Sequence, residues 1–277
     1  MGALALALGA SMAWGTSDFL GGLVSQRLPL RLVLLGAQLA GLGVALAAWL
    51  IAGAPMPSLA AAATAALAGV FGLCGFACLY RGLATSAMAV VAPLAALAAV
   101  VPVAAGMASG HPLGTTTAMG GALALAGSMT CAAEPGSGAR RLAEGTLLGL
   151  GAAVCFGGFF AALGIAAQSA GAGAVLCNRV ASIAILVFLM AARPCGGPRT
   201  PELAWTLLIL GALDVVADLG YAAACSDGLR PSVAVLASLY PLTTVLLARA
   251  VLREHLGPAR LAGAGAVITG IALIGAA

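Results

Sequence analysis

Residues Gly228–Gly275 read GLRPSVAVLASLYPLTTVLLARAVLREHLGPARLAGAGAVITGIALIG. Two apolar runs, Val233–Leu247 and Leu261–Ile274, flank a short charged segment, Arg249–Arg260. Apolar runs separated by a few charged residues are typical of membrane helices joined by a turn that reaches water. This stretch therefore predicts a helical hairpin in lipid.

Two short segments in the first half of the chain recur, in the same order, in the second half. Leu94–Leu97 reads LAAL where Leu236–Leu239 reads LASL. Gly9–Gly15 begins with Gly-Ala and ends with an aromatic residue before glycine, as Gly151–Gly157 also does. Repetition of this kind predicts a duplicated unit.

The composition indicates whether the chain folds in water or in a membrane. Hydrophobic residues make up 62% of the 277 residues and charged residues 7%, and the mean hydropathy is +1.13. Too little polar surface remains for a soluble domain, so we expect a multi-pass protein of the cytoplasmic membrane. The first basic residue, Arg27, follows the first apolar run, so this run is expected to stay as a span rather than to be a cleaved signal.

Ten apolar spans are predicted. They are Met1–Leu23, Leu32–Ile51, Leu59–Tyr80, Ala87–Met107, Thr117–Cys131, Thr146–Ala167, Ala172–Ala192, Leu203–Cys225 and the two runs of the hairpin. Residues 134–143 have the composition of a linker loop, and they divide the chain into two five-helix repeats, 1–133 and 144–277. An odd number of spans reverses the entry side of the second unit. The predicted fold is an all-α polytopic membrane protein with ten transmembrane helices in two inverted five-helix repeats.

The arginines predict the orientation of these spans. If the spans alternate, ten of the twelve arginines fall on one side: Arg27, Arg31, Arg81, Arg140, Arg141, Arg193, Arg199, Arg249, Arg253 and Arg260. Arg230 falls on the other side. Positively charged loops stay in the cytoplasm, so both termini are expected to face outward. The net charge of +4 is thus an orientation signal, and no nucleic-acid partner is expected.

Several motifs resemble those of a known family. The second half contains Leu239-Tyr240-Pro241 and Arg253-Glu254, and the first span contains Trp14-Gly15. With the five-plus-five plan, these residues resemble the EamA-type transporters of the drug/metabolite transporter superfamily. The resemblance implies a carrier of small metabolites with a central cavity between its halves. The first half departs from the pattern, because Ala98-Ala99 stand where Tyr240-Pro241 stand in the second.

Ionisable side chains inside a membrane cost a few kcal/mol each, so they mark either function or structural pairing. Arg179 and Asp214 lie at matching depths, each roughly 12 Å from the outer surface. They are either a structural ion pair or part of a substrate or proton site. Asp218 lies one turn further along the same helix face and has no second basic residue at its depth. We expect it to be protonated or to face water. Gln38 takes the place of Arg179 in the first half.

Other polar side chains also lie within the spans. Asp18 lies nearer the cytoplasmic end, where Arg27 or Arg81 is expected to pair with it structurally. Tyr80 and Tyr221 end two spans and are expected to be interfacial anchors. Tyr240, in the middle of a span, needs a hydrogen-bond partner or cavity water. The residues expected to bind substrate or the coupling ion are Trp14, Asp18, Arg179, Asp214, Asp218, Ser238 and Tyr240.

The sequence argues against an enzyme. The two histidines, His111 and His255, lie in turns on opposite sides of the membrane, away from any acid pair. The chain has no lysine and so no phosphate-binding loop for ATP. Its seven cysteines lack zinc or redox spacing. No cofactor and no metal are expected.

The predicted function is secondary transport, most simply export, of small metabolites by alternating access, with or without proton coupling. The alternative is a membrane scaffold or assembly subunit that transports nothing. The expected partners are an unidentified small-molecule substrate and the lipid bilayer. The expected oligomeric state is a monomer or a homodimer.

Overall fold

A computed structural model describes residues 2–85, 91, 94–108, 110, 114–132, 139–192, 201–226, 231–252 and 257–275. Within these ranges the chain forms helices and short turns and no strand. The all-α prediction is therefore confirmed for this part of the chain. His111, His255, Arg230 and Arg253 lie outside the described residues.

The helices are numbered here in chain order. They are α1 Gly2–Ser25, α2 Leu30–Ala52, α3 Leu59–Thr85, α4 Val100–Ala108, α5 Thr115–Ala132, α6 Ala139–Ala170, α7 Ala172–Ala192, α8 Pro201–Ala224, α9 Pro231–Ala237, α10 Tyr240–Leu252 and α11 Pro258–Gly275. A short 3-10 helix, Ala96–Ala99, precedes α4.

Prolines and glycines set several of these helix ends. Pro201, Pro231 and Pro258 are the first residues of their helices, where the missing N–H removes no hydrogen bond. Gly53 ends α2 in the left-handed conformation, with φ 56°, and its N–H bonds the carbonyl of Leu50.

By length and apolar composition, five helices of the described part can cross a bilayer. These spans are Leu30–Ala52, Leu59–Ala84, Ala143–Ala170, Ala172–Ala192 and Pro201–Ala224. Each supplies the roughly 20 apolar residues that a hydrocarbon core requires. The chain is therefore a multi-pass integral membrane protein.

Two predicted elements differ from the structure. Helix α6 begins at Ala139, inside the expected linker loop 134–143. The glycines and proline of that linker all precede Ala139, and the residues that follow favour helix. The predicted span Val233–Leu247 is interrupted by a turn between α9 and α10. Pro241 explains the interruption, because it has no N–H to donate to the carbonyl of Ala237.

The closest helix pairs join the first part of the chain to the second. Helix α1 packs on α8, and α3 packs on α6. Helix α2 contacts both α7 and α8, and α7 also contacts α3. Helices α5 and α11 pack mainly on each other, at the edge of the bundle. The two halves are thus interleaved, and their contact surface runs through the centre of the molecule.

Small residues allow α2 and α8 to approach closely. A Cβ atom added at Gly41 would lie 3.0 Å from the carbonyl oxygen of Gly211. One added at Gly211 would lie 2.8 Å from the backbone nitrogen of Gly41. The two backbones are in direct contact, which membrane helices achieve with glycine. This contact brings the polar residues of α8 towards α2.

Candidate functional site

Arg179 of α7 is the centre of a buried polar cluster. Its side chain is 2% exposed. Nη2 lies 2.7 Å from Oδ2 of Asp214 and 2.5 Å from Oδ2 of Asp218. Nη1 donates a hydrogen bond to Oε1 of Gln38, at 2.7 Å. A planar guanidinium can serve several acceptors at once, so this one side chain joins α2, α7 and α8.

The two aspartates of α8 share this guanidinium. They are four residues apart, which places both carboxyl groups on one face of the helix. Arg179 and Asp214 form an ion pair, which agrees with both alternatives, a structural pair and a substrate or proton site. The expectation that Asp218 lacks a basic partner is wrong, because both carboxylates reach the same Nη2 atom.

Asp218 has two further partners. Its Oδ1 accepts a hydrogen bond from Nε1 of Trp14 at 3.2 Å, and its Oδ2 accepts one from Nδ2 of Asn178 at 3.3 Å. The side chain is fully buried. Of the two expected alternatives, a protonated carboxyl or one that faces water, the second does not apply. Through Trp14 the cluster extends to α1, and the position of the indole ring is tied to the charged residues.

Asp18 of α1 is buried without an ion pair among the described residues. It is 3% exposed, and its Oδ1 has no hydrogen-bond partner there. The predicted pairing with Arg27 or Arg81 is wrong, and both arginines are exposed. Arg27 is nine residues further along the chain, roughly 13 Å by helix rise. Asp18 instead lies one turn from Trp14, on the face of α1 that points into the bundle.

Asp18 lines a small cavity with six aromatic side chains. About 20 Å³ of this cavity is open to the centre of a water molecule, which is room for about one water. The aromatic walls are Trp14, Phe76, Phe156, Phe159, Phe160 and Tyr240. The ring of Trp14 lies 5.1 Å from that of Phe160 and 6.1 Å from that of Phe159 between centroids. One carboxyl group thus faces a nearly continuous aromatic wall.

Tyr240 and Ser238 differ in their surroundings. Tyr240 lies on the cavity wall, and its hydroxyl donates a hydrogen bond to the carbonyl of Ala95 at 3.4 Å. The Ser238 hydroxyl donates to the carbonyl of Ala234, in the preceding turn, at 2.9 Å. Ser238 is therefore satisfied within its own segment and is not among the residues that line this cavity.

The prediction of interfacial anchors is wrong for Tyr80 and Tyr221. Both are fully buried. The Tyr221 hydroxyl donates a hydrogen bond to the carbonyl of Phe160 at 3.0 Å, and its ring lies 5.7 Å from that of Trp14. Both tyrosines lie on the faces of α3 and α8 that pack into the bundle, so they contact neighbouring helices rather than the lipid interface.

Sequence reasoning missed part of this site. It did not single out the phenylalanines of the cavity or Asn178, and it noted Gln38 only as a counterpart of Arg179. A signal was available in α6, where Phe156 and Phe160 are four residues apart and share one helix face. A single apolar face of this kind is ordinary in a membrane helix, so it could not indicate a cavity.

A bundle of long apolar helices around a buried charge cluster and an aromatic cavity defines a multi-pass membrane protein with an internal polar site. Residues 143–276 match the sequence profile of the EamA-like transporter family. This match confirms the resemblance to the EamA-type transporters over the second half of the chain.

The fold also matches a solved structure. A crystal structure with 17% sequence identity superimposes with a TM-score of 0.78, over 98% of this chain and 95% of the other chain. At this identity the match shows the fold alone, and the shared fold covers both halves of the chain. No curated protein sequence matches the chain.

Proposed function

We propose that the protein is a secondary transporter that moves small metabolites across the cytoplasmic membrane by alternating access. One observation carries the proposal: the buried charge cluster and the aromatic cavity lie where the two halves of the chain meet. Arg179 of the second half bonds Gln38 of the first, and Asp218 bonds Trp14. In transporters built from two repeats, the substrate site lies at such an interface.

The helix contacts support two inverted repeats, with ten spans in residues 1–133 and 144–277. A twofold axis would exchange α1 with α6, α2 with α7, α3 with α8 and α5 with α11. The observed contacts come in the pairs that this exchange predicts: α1–α8 with α6–α3, and α2–α8 with α7–α3. Helices α2 and α7 contact each other, as do α5 and α11. Each of these last two pairs would then lie across the axis.

The contact between Gln38 and Arg179 agrees with this arrangement. The two residues occupy equivalent places in the proposed repeats, and two equivalent residues touch only close to a twofold axis. Their hydrogen bond of 2.7 Å therefore supports an axis that passes near the polar cluster. A cluster in that place can be exposed to each side of the membrane in turn when the repeats tilt.

Transport by the purified protein in lipid vesicles tests the proposal. We expect vesicles that contain the protein, loaded with a mixture of labelled metabolites, to exchange at least one compound well above protein-free vesicles. An imposed pH gradient tests proton coupling in the same vesicles, and the direction that the gradient favours tests export. If the folded protein exchanges no compound from a broad mixture, the proposal fails. The alternative, a membrane scaffold or assembly subunit, would then be favoured.

The orientation gives a second test. We expect both termini to lie outside the cytoplasm, because reversing the chain would place the arginine-rich loops on the outer side. A fluorescent protein that matures only in the cytoplasm, fused after Ala277, should stay dark, whereas the same fusion inserted after Arg141 should be bright. A bright C-terminal fusion would contradict the proposed orientation.

A further inference from the structure

We propose that the aromatic cavity binds the ammonium group of an organic cation, with Asp18 as its counter-ion. This inference rests on the proposed transport function and names the class of its substrate. The cavity lies between α1, α3, α6 and α10, which contribute Asp18, Phe76, three phenylalanines and Tyr240 respectively. Three features of the cavity favour a cation: an unpartnered carboxyl oxygen, aromatic walls and the negative charge of the neighbouring cluster.

The carboxyl group of Asp18 has an atom available for a ligand. Oδ1 is buried and makes no hydrogen bond to any residue that the structure describes. A buried acceptor without a partner costs free energy, and an ionised one costs more. A ligand that brings a positive charge and N–H donors into the cavity would remove this cost. A neutral donor would satisfy the hydrogen bond but would leave the carboxylate charge uncompensated, and an anionic ligand would increase the cost.

The walls of the cavity favour an organic cation over a metal ion. The face of an aromatic ring is negative and attracts ammonium groups, most strongly when the ring is an indole such as that of Trp14. Sodium, magnesium and calcium instead require several oxygen ligands. The lining side chains offer only the Asp18 carboxyl and the Tyr240 hydroxyl, whose proton is donated to Ala95.

The neighbouring charges act in the same direction. The Asp18 carboxyl lies close enough to Asp214 to interact with its charge, so three carboxyl groups, of Asp18, Asp214 and Asp218, stand against the one guanidinium of Arg179. When all are ionised, the carboxylates exceed the positive charge by two. Arg179 contacts the other two aspartates but forms no ion pair with Asp18. A cationic ligand beside Asp18 would reduce this excess, whereas an anionic one would be repelled.

The size of the closed cavity limits what it holds in this conformation. About 20 Å³ open to a water centre accommodates a group the size of one water, such as a primary ammonium. The remainder of a larger amine requires the phenylalanine side chains to move apart. We therefore infer that this conformation encloses the cationic head of the substrate, and that opening of the cavity admits the rest.

Fluorescence of Trp14 provides a direct binding assay. The double change Trp49→Phe and Trp205→Phe leaves Trp14 as the single tryptophan, on the cavity wall. Trp205 is largely exposed, and the buried Trp49 indole N–H has no partner among the described residues, so neither change removes a described hydrogen bond. The purified protein is titrated with phenethylammonium and, as its uncharged counterpart, with 2-phenylethanol.

We expect phenethylammonium to change the Trp14 fluorescence with at least about tenfold higher affinity than the alcohol, which corresponds to one charge-assisted contact. Asp18→Asn should abolish this preference, and Asp18→Glu should keep it. Glu202→Gln is the matched control, because Glu202 is an exposed acid at the start of α8, remote in sequence from the cavity residues. It should leave both affinities unchanged.

Three results would overturn the inference: equal affinity for the cation and the alcohol, a preference that survives Asp18→Asn, or no response to phenethylammonium, methylammonium or tetramethylammonium. If Asp18→Asn does not fold, the inference is still tested by the ratio of the affinities of the parent protein for phenethylammonium and for 2-phenylethanol. Transport is measured separately, by counterflow of phenethylammonium in vesicles. If ammonium ions bind but no compound shows counterflow, the ammonium site stands and the transport function is contradicted. If other compounds are transported but no ammonium ion binds, the transport function stands and the ammonium site is contradicted.

Discussion

Replacing Arg179 by methionine is expected to lower the free energy of unfolding by about 3–5 kcal/mol, because it leaves two buried carboxylates without their shared counter-ion. The guanidinium contacts Asp214 at 2.7 Å and Asp218 at 2.5 Å, and it also bonds Gln38. Unfolding of the purified protein in mixed detergent micelles measures the effect. A variant as stable as the parent would show that the cluster contributes nothing to folding.

The matched control is Asp214→Asn. It removes one of the three partners of Arg179 and leaves Asp218 and Gln38 in place, so we expect a smaller loss of about 1–3 kcal/mol. If Asp214→Asn were as damaging as Arg179→Met, the two carboxylates would not share the guanidinium in the way that the structure shows.

The triple variant Arg179→Met, Asp214→Asn and Asp218→Asn separates a structural role from a functional one. With no buried charge left unpaired in the cluster, much of the stability should return. We expect this variant to be folded and inactive in the vesicle assay, because the polar site is proposed to act in transport. Full transport by the folded triple variant would show that the three residues form a structural ion-pair cluster only.

Gly211→Val is expected to lower the free energy of unfolding by at least about 3 kcal/mol, since a side chain there forces α2 and α8 apart. The added Cβ atom would meet the backbone of Gly41 at 2.8 Å. Separation of these helices would also lengthen the contacts of Gln38 and Asp214 with Arg179. Loss of transport should therefore accompany the loss of stability.

Gly43→Val is the control for this prediction. Gly43 lies on α2 two residues from Gly41, and a Cβ atom added there meets nothing within 4 Å. The change in helix propensity is the same as at Gly211, so any difference between the two variants reports on packing. Thermal unfolding of both variants in detergent makes the comparison. Equal stabilities would contradict the close contact of α2 with α8.

Much of the helical framework was predictable because it depends on local composition. The predicted span Ala172–Ala192 coincides with α7, and Leu59–Tyr80 lies within α3. In lipid, each backbone polar group must bond within its own helix, so a run of about 20 apolar residues is sufficient evidence for a span. The break between α9 and α10 was not predicted, because tolerance of Pro241 depends on the neighbouring helices.

The candidate site was predictable only in part. The cost of burying charge singled out Asp18, Arg179, Asp214 and Asp218, and the matching depths indicated the pair of Arg179 with Asp214. Depth along a helix follows from residue number, but the direction in which a side chain meets other helices does not. The sequence therefore assigned Asp18 a nearby arginine and Asp218 no arginine, and both assignments were wrong.

The sequence by itself determined that this chain lies in a membrane, is helical and, over its second half, is EamA-like, because hydropathy and motifs are properties of contiguous residues. The tertiary structure alone decided that Arg179 holds two aspartates and Gln38, and that Asp18 faces an aromatic cavity. The hydrogen bond between Trp14 and Asp218, for example, joins residues 204 positions apart. Only the packing of helices from both halves brings such residues together.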